Sequence, residues 1–219
     1  SMAARFGRKL VDHRTFVIAG DGCLQEGISQ EAIALAGRQA LSRLVVLWDD
    51  NGISIDGAVS LSDVTDQAQR FAASGWSTHA CDGHDPEDVA RALEEALASG
   101  RPALVACRTR IGLGAPGREG TAAAHGAPLG AERIAAARAA YGWEAGPFEI
   151  PKDVAEGWAA IGRAGAGERY AWEARLASAP ASRRAEFERV TAGAPSKRVA
   201  AALRKLKREV LAERPKVAT

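Results

Sequence analysis

Short apolar runs alternate with amphipathic stretches over the first half of the chain. The β-branched run 15–19 and the apolar run 44–48 each have the length of a buried strand. The first run is predicted to end in a tight loop at Gly20-Asp21-Gly22. Between the two runs, residues 29–39 place their apolar side chains on one side of a helix, with Ser29 as the candidate N-cap. Strand, helix and strand together predict a βαβ unit.

The same alternation continues for another sixty or so residues along the chain. It predicts helices at 66–73 and 86–99 and strands at 76–80 and 103–108. Strands that alternate with helices are typical of parallel sheets with helices on both faces. We therefore expect an α/β fold with a parallel, doubly wound sheet and flanking helices.

The second half of the chain has a different texture. Residues 112–130 are rich in Gly, Ala and Pro and are too long and irregular for a simple connector, so this loop is either disordered or functional. Beyond residue 130, Ala, Arg and Glu recur at helical spacing, with breaks at 142–151, 179–180 and 193–195. We expect an all-helical tail.

Composition and charge exclude several classes of protein. A hydrophobic share of 47% and a charged share of 26% are ordinary for a water-soluble globular protein. The net charge of +2 gives no global attraction to nucleic acid or to an anionic membrane. The apolar runs are far shorter than the roughly 20 residues that span a bilayer, and no secretory apolar region follows the N-terminus. We expect a cytoplasmic protein with neither nucleic acid nor membrane as partner.

The cysteines and two of the histidines give little evidence of a metal. Cys23, Cys81 and Cys107 are far apart and odd in number, which indicates neither a disulfide framework nor a CxxC site. His79 and His84 flank Cys81 in one short stretch, but a zinc site usually has a fourth ligand at recognisable spacing. An ordinary strand end is the favoured interpretation.

A basic amphipathic helix is predicted near the end of the chain. Residues 196–219 contain eight Lys or Arg against two Glu, and their apolar stripe is Val199, Leu203, Leu206 and Val210. Such a helix could bind nucleic acid or lipid. A structural helix that packs its stripe on neighbouring structure is favoured, because no aromatic or Gly-rich nucleic-acid motif accompanies the charge.

Polar residues follow several of the predicted strands, at the edge of a parallel sheet where ligands bind. Gly20-Asp21-Gly22 follows the first strand, Asn51 follows the second, and the loop after the last strand contains His125. Glycines let a phosphate approach the backbone, and carboxylate and amide oxygens suit Mg²⁺. Alone, Gly-Asp-Gly is usually a plain turn. The βαβ connection, however, brings Asp21 and Asn51 to the same edge.

Four segments closely resemble transketolases, which use thiamine diphosphate, and the resemblance covers essentially the whole chain. They are residues 17–29, 48–57, 120–130 and 146–151. The resemblance implies an incomplete thiamine-diphosphate-binding fold. It implies a partial diphosphate- and Mg²⁺-binding domain at 1–142 and, at 143–219, a helical linker that leads to an absent pyrimidine-binding domain.

The resemblance also assigns site residues. It implies that Asp21, the side chain of Asn51 and the backbone carbonyl of Ile53 hold Mg²⁺, for which Ca²⁺ or another divalent ion can substitute. Gly22 and Asn51 would then contact the diphosphate of the cofactor.

Two further residues gain a role from the same resemblance. Glu26 is similar to an acidic residue that couples two active sites at the family's dimer interface, although a glutamate near a helix start is common in any protein. His125 resembles the active-site histidine that lies near the cofactor and the substrate hydroxyl. A lone histidine in a loop would otherwise carry no function.

The implied activity is the transfer of a two-carbon glycolaldehyde unit from a ketose phosphate to an aldose phosphate. It belongs to the pentose phosphate pathway or the Calvin cycle, and the implied parent is a homodimer. Because the family has a segment before this one and a domain after it, the chain is interpreted as a fragment that is inactive alone. The alternatives are another thiamine-diphosphate enzyme of the superfamily, such as a sugar-phosphate synthase or a dehydrogenase component, and a non-catalytic binding module.

Overall fold

The computed structural model describes residues 2–214, which divide into two compact units. Residues 13–149 form an α/β unit, and residues 2–12 group with 150–214 in a helical unit. The expected boundary after residue 142 stays a prediction about functional domains. The compact units differ from it in that the first residues group with the helical tail.

The α/β unit alternates strands and helices in the predicted order. Its strands are β1 (Thr15–Gly20), β2 (Leu44–Asp50), β3 (Ile53–Ser54), β4 (Gly57–Ala58), β5 (Ser77–Asp82) and β6 (Ala103–Arg108). Met2–Phe6 of the helical unit is helix α1, and the α/β unit contains α2 (Asp21–Gln25), α3 (Gly27–Arg38), α4 (Gln67–Ala73), α5 (Pro86–Ala98) and α6 (Ala131–Ala140). Short 3₁₀ turns lie at Val59–Leu61 and Ala122–Ala124.

Four strands pair in parallel in the order β1-β2-β6-β5. The register aligns Gly20 of β1 with Asp49 of β2, and Asp49 with Cys107 of β6. Strands β3 and β4 form a separate antiparallel hairpin. The predicted α/β class and parallel sheet are confirmed, and the carboxyl ends of β1, β2 and β6 lie side by side.

Apolar side chains cover both faces of this sheet, as expected for a doubly wound fold. One core combines residues of the strands, of α2, α3 and α4, and of the turn before β5: Ala19, Leu24, Ile33, Ala36, Val46, Phe71, Trp76 and Leu104. The other lies under α5: Val45, Cys81, Ala92, Ala96, Ala103, Val105 and Cys107. Neighbouring Val45 and Val46 enter opposite cores because strand side chains alternate between faces.

Close contact between α3 and the turn after α4 requires a glycine. A Cβ atom on Gly37 would lie 1.7 Å from the backbone oxygen of Ser74, so no larger residue fits there without a shift of the backbone. Beside it, the Trp76 indole nitrogen donates to the Ile33 carbonyl at 2.9 Å. The glycine thus allows α3 to approach the sheet closely enough for this bond.

Two local predictions are wrong. Ser29 is not the N-cap of α3, which begins at Gly27 after Glu26; the Ser29 hydroxyl donates instead to the Cys23 carbonyl at 2.6 Å. Asp21 does not lie in a loop, because it begins α2 directly after β1. Since α2 precedes α3 with one residue between them, Ser29 satisfies a carbonyl at the end of α2 rather than an amide of its own helix.

The first strand was predicted to be buried, and most of it is not. Phe16 and Ile18 are 51% and 81% exposed, and only Ala19 is buried. β1 is an edge strand paired on one side by β2. Its apolar sequence nevertheless has the composition of a strand covered on both faces.

The helical unit contains α7 (Lys152–Ala164), α8 (Ala166–Ala177), α9 (Ala181–Thr191) and α10 (Lys197–Glu213), which confirms the all-helical tail. Its core is built on Phe6, whose ring meets Phe187 edge-on at 5.2 Å between centroids. The Trp172 indole donates to the Leu10 carbonyl at 2.8 Å. Aromatic residues of α8 and α9 therefore hold the N-terminal residues against the tail.

The apolar stripe of α10 is exposed. Val199, Leu203, Leu206 and Val210 are each 47–54% exposed, so the interpretation that this stripe packs on neighbouring structure is wrong for the described residues. Residues 215–219 of the predicted basic region lie outside the described residues. None of the helices between residues 2 and 214 is both long and apolar enough to cross a bilayer.

Phe71→Ala should destabilise the α/β unit by about 3–5 kcal/mol, because the buried ring leaves a cavity. Phe71 is 1% exposed and meets Trp76 edge-on at 4.9 Å. The measurement is the free energy of urea unfolding of the 219-residue chain, with the transition monitored by circular dichroism. The matched control is Phe148→Ala in the same unit, where a fully exposed ring should change the free energy of unfolding by less than about 0.5 kcal/mol. Equal effects of the two variants would contradict this core.

Candidate cofactor and metal site

A buried carboxylate stands at the carboxyl edge of the sheet. Asp21, the first residue of α2, is 8% exposed. One of its oxygens accepts from the Trp48 indole nitrogen at 3.1 Å, and the other accepts from the Gly52 amide at 3.2 Å. The end of β2 and the loop after it therefore fix the orientation of this side chain.

Negative charge accumulates around Asp21. Burial raises the pKa of Asp21 above its ordinary value, the indole hydrogen bond from Trp48 opposes that rise, and the nearby Asp50 carboxylate adds to it. Weaker effects come from Gly52, which lowers the pKa, and Asp49, which raises it. The ionised form is thus held at a cost that a bound cation would relieve.

Asn51 is fixed at both ends of its amide group. Its nitrogen donates to an Asp49 oxygen at 3.0 Å, and its oxygen accepts from the Ile53 amide at 2.9 Å. Between them, Gly52 has a φ of +69°, in the left-handed region that favours glycine. This turn brings the Gly52 amide to Asp21 and leads into the β3–β4 hairpin, which begins at Ile53.

The neighbouring strand supports the same network. Thr109, directly after β6, donates its hydroxyl to the second oxygen of Asp49. Arg108 forms an ion pair with Asp50 at 3.1 Å. The carboxylates of Asp21, Asp49 and Asp50 therefore all lie at this edge of the sheet, each with its own partners.

Sequence reasoning did not assign roles to Trp48, Asp49 and Thr109. Trp48 and Asp49 could have been found from the sequence, because both precede Asn51 within the segment 48–57 that resembles transketolases. Nothing in the sequence marked Thr109, whose contact with Asp49 arises only from the pairing of β2 with β6.

Space for a phosphate lies beside the two glycines that flank Asp21. A Cβ atom added at Gly20 or Gly22 would meet no atom within 4 Å. The Asp21 carboxylate lies between these glycines, and its hydrogen bond with the Gly52 amide brings the loop that carries the Asn51 amide oxygen and the Ile53 carbonyl to the same edge. These groups offer the hard oxygens that Mg²⁺ binds together with a phosphate. The residues present thus fit a diphosphate and a divalent cation.

The structure does not join Glu26 or His125 to this cluster. Glu26 is exposed at the junction of α2 and α3, where its carbonyl accepts from the Ser29 amide at 3.0 Å. His125 is exposed after the 3₁₀ turn, and its amide donates to the Ala122 carbonyl at 3.0 Å. Within residues 2–214, no hydrogen bond or ion pair connects either side chain to Asp21 or Asn51. Their roles stay predictions.

The loop that contains His125 has a defined conformation. The Gly120 amide donates to the Ile111 carbonyl at 2.8 Å, and the Gly114 amide donates to the Glu119 carboxylate at 2.7 Å. Arg110 lies 3.6 Å from the same carboxylate. Glu119 thus links Arg110 and Gly114 in the first part of this loop.

The two histidines near Cys81 have other partners. His79 lies 3.4 Å from Glu95, and the His84 ring accepts from the Arg110 amide at 2.8 Å. Across the described residues, no three His, Cys, Asp or Glu side chains are arranged to hold a metal. Cation binding here would therefore use amide, carbonyl and ligand oxygens besides Asp21.

Comparison with known proteins identifies the family of this chain. Residues 1–195 match the family model described as "Transketolase, thiamine diphosphate binding domain". The transketolase of Rhodobacter capsulatus is 59% identical over 219 residues, which are 100% of this chain and 33% of that protein. The transketolase of Cereibacter sphaeroides is 54% identical over 216 residues, covering 99% of this chain and 32% of that one.

Solved structures show the same fold. A transketolase from Leishmania mexicana matches with a TM-score of 0.82 and 38% identity, covering 90% of this chain and 31% of that one. The transketolase from Campylobacter jejuni matches with a TM-score of 0.79 and 36% identity, covering 85% of this chain and 29% of that one. The chain spans about a third of the length of the relatives it matches. By sequence and by fold, this chain belongs to the transketolase family, in the region of its thiamine diphosphate binding domain.

Proposed function

We propose that the protein containing this chain transfers a two-carbon glycolaldehyde unit from a ketose phosphate to an aldose phosphate. The observation that carries the proposal is the buried Asp21 carboxylate, held at the sheet edge beside Asn51 and next to open space at Gly20 and Gly22. Bound thiamine diphosphate would supply the nucleophilic carbon for this reaction. The pentose phosphate pathway or the Calvin cycle is the proposed setting of this reaction.

Three groups would hold Mg²⁺: the Asp21 carboxylate, the Asn51 amide oxygen and the Ile53 carbonyl. Gly22 and Asn51 would contact the diphosphate. The surplus of carboxylates at this edge supports a divalent cation, and Ca²⁺ or another such ion can replace Mg²⁺ where the oxygen ligands adjust. Phosphate oxygens would complete the coordination.

His125 would hold or move a proton at the substrate hydroxyl and contact the cofactor. Glu26 would lie at the interface of a homodimer and couple its two sites. Their exposure agrees with contacts made outside this chain. A cytoplasmic location, with sugar phosphates rather than nucleic acid or membrane as partners, completes the proposal.

The second candidate is another thiamine-diphosphate enzyme of the superfamily, and the third is a non-catalytic binding module. A donor-substrate assay on the full-length parent separates them. Glycolaldehyde transfer between sugar phosphates supports the first proposal. Decarboxylation or condensation of a different donor supports the second, and cofactor binding without turnover supports the third.

Asn51→Ala in the full-length parent should weaken Mg²⁺-dependent cofactor binding. Loss of one charge-assisted contact costs about 1.5–3 kcal/mol, which corresponds to roughly 10- to 150-fold in affinity. Calorimetric titration with thiamine diphosphate at several Mg²⁺ concentrations measures this change. Gln39→Ala, which removes an exposed amide at the end of α3, is the matched control. An unchanged affinity across the Mg²⁺ series would remove Asn51 from the site.

His125→Ala in the full-length parent should reduce sugar turnover more than cofactor affinity. A positioned proton-transfer group contributes ~10²–10⁴ in rate. Steady-state kcat and the dissociation constant of the cofactor are the two measurements. His13→Ala, another exposed histidine, serves as the control. A fall in kcat of less than about threefold would make His125 an ordinary loop residue.

The 219-residue chain alone should be catalytically silent and should bind thiamine diphosphate weakly. It spans about a third of the relatives' length, so contacts that the rest of the parent makes to the cofactor are lost. Several contacts of about 1–3 kcal/mol each correspond to roughly two to four orders of magnitude in affinity. Calorimetry of chain and parent, with Mg²⁺, gives the comparison. Equal dissociation constants, or sugar-dependent turnover by the chain, would refute the prediction.

A further inference from the structure

We propose that Asp49 is a positioning residue for the cation site, which fixes the direction in which the Asn51 amide presents its oxygen. This inference rests on the proposed function in one respect, namely that Asn51 is a cation ligand. The contact that carries it is the bond from the Asn51 amide nitrogen to an Asp49 oxygen, 3.0 Å long.

An asparagine side chain has two ends of nearly equal size and opposite chemistry. Its oxygen accepts hydrogen bonds and binds cations, whereas its nitrogen only donates and repels them. In Asn51 the nitrogen faces a carboxylate, which only accepts, and the oxygen faces the Ile53 amide, which only donates. A reversed amide would place two acceptors together at Asp49 and two donors together at Ile53.

Asp49 is itself held in place from the other side. Its second oxygen accepts from the Thr109 hydroxyl, and its backbone is aligned with Cys107 on β6. One oxygen of the Asp49 carboxylate therefore accepts from Thr109 next to β6, and the other accepts from Asn51. Through this link the position of β6 determines the orientation of an amide in the loop after β2.

Asp50 provides a contrast within the same strand. It carries the same charge one residue later, but it pairs with Arg108 at 3.1 Å and makes no described contact with Asn51. Successive strand residues point to opposite faces, which separates the two carboxylates. Removing Asp50 thus removes a nearby charge without releasing the amide.

The direct test observes the Asn51 amide without any cofactor. Asn51 is the single asparagine of the sequence, so labelling asparagine with ¹⁵N in its side chain gives one amide pair in the nuclear magnetic resonance spectrum of the chain. In the unmodified chain we expect two well-separated proton shifts and slow exchange with solvent. Asp49→Ala should bring the shifts together and accelerate exchange, while Asp50→Ala should leave both unchanged. If Asp49→Ala changes neither the Asn51 amide proton shifts nor their exchange with solvent, the proposal is overturned.

Thr109→Val guards against a variant that fails to fold. It keeps Asp49 but removes its anchor on β6, so we expect exchange intermediate between the unmodified chain and Asp49→Ala. Far-UV circular dichroism establishes that each variant retains its secondary structure. Unchanged exchange in a folded Thr109→Val chain would show that the anchor from β6 has no part in the positioning.

The second test measures Mg²⁺-dependent binding of thiamine diphosphate to the full-length parent by calorimetry. Substitutions behind a metal ligand typically cost 10- to 100-fold in affinity, and we expect about that loss for Asp49→Ala. Asp50→Ala gives the effect of charge alone and should cost less. Asp49→Asn keeps an acceptor oxygen for Asn51 and should recover most of the affinity. In an Asn51→Ala background, Asp49→Ala should have no further effect.

The two tests separate this inference from the function on which it rests. If the parent binds no thiamine diphosphate, the proposed function fails, while the amide spectra still decide whether Asp49 orients Asn51. If the parent binds the cofactor and Asp49→Ala weakens it no more than Asp50→Ala does, the positioning role is overturned and the proposed function stands.

Discussion

Parallel pairing of β1 with β2 is the constraint on which the candidate site depends. It aligns Gly20 with Asp49, so that the chain leaving β1 as α2 meets the chain leaving β2 as a loop. Asp21 then accepts from Trp48 on one side and from Gly52 on the other. A shift of the register would separate these partners and leave a buried carboxylate without hydrogen bonds, at a large cost in free energy.

The same pairing continues into β6 and makes the site a property of three strands. Thr109 reaches Asp49 because β6 runs beside β2, and Asp49 reaches Asn51 because the loop turns back at Gly52. Beneath this edge, Val46 of β2 is aligned with Leu104 of β6, and both side chains are buried. The strand residues of the polar network are therefore anchored on a packed core, and they hold the loop residues Asn51 and Gly52 through hydrogen bonds.

Much of the fold could be predicted because apolar runs such as 44–48 and 103–108 have only one favourable place, the middle of a sheet. The placement of Asp21 and Asn51 at the same edge of the sheet followed from the βαβ connection. Contacts such as Thr109 with Asp49 could not be predicted, since they depend on strand order, which the sequence does not encode locally. Exposure of β1 could not be predicted either, because an apolar sequence does not reveal whether anything covers it.

Both carboxylate oxygens of Asp21 and the amide oxygen of Asn51 already accept a hydrogen bond before a cation arrives, yet each keeps a free lone pair. A carboxylate or amide oxygen has two lone pairs, so Asp21 and Asn51 can each accept one hydrogen bond and still offer an electron pair to a cation. Binding would then add contacts to an existing arrangement instead of breaking one. The cost of ordering these side chains has already been met during folding, when Trp48, Gly52 and Asp49 took their positions. The structure thus combines a rigid set of oxygens with an excess of negative charge, and only the excess of charge is relieved by the ligand.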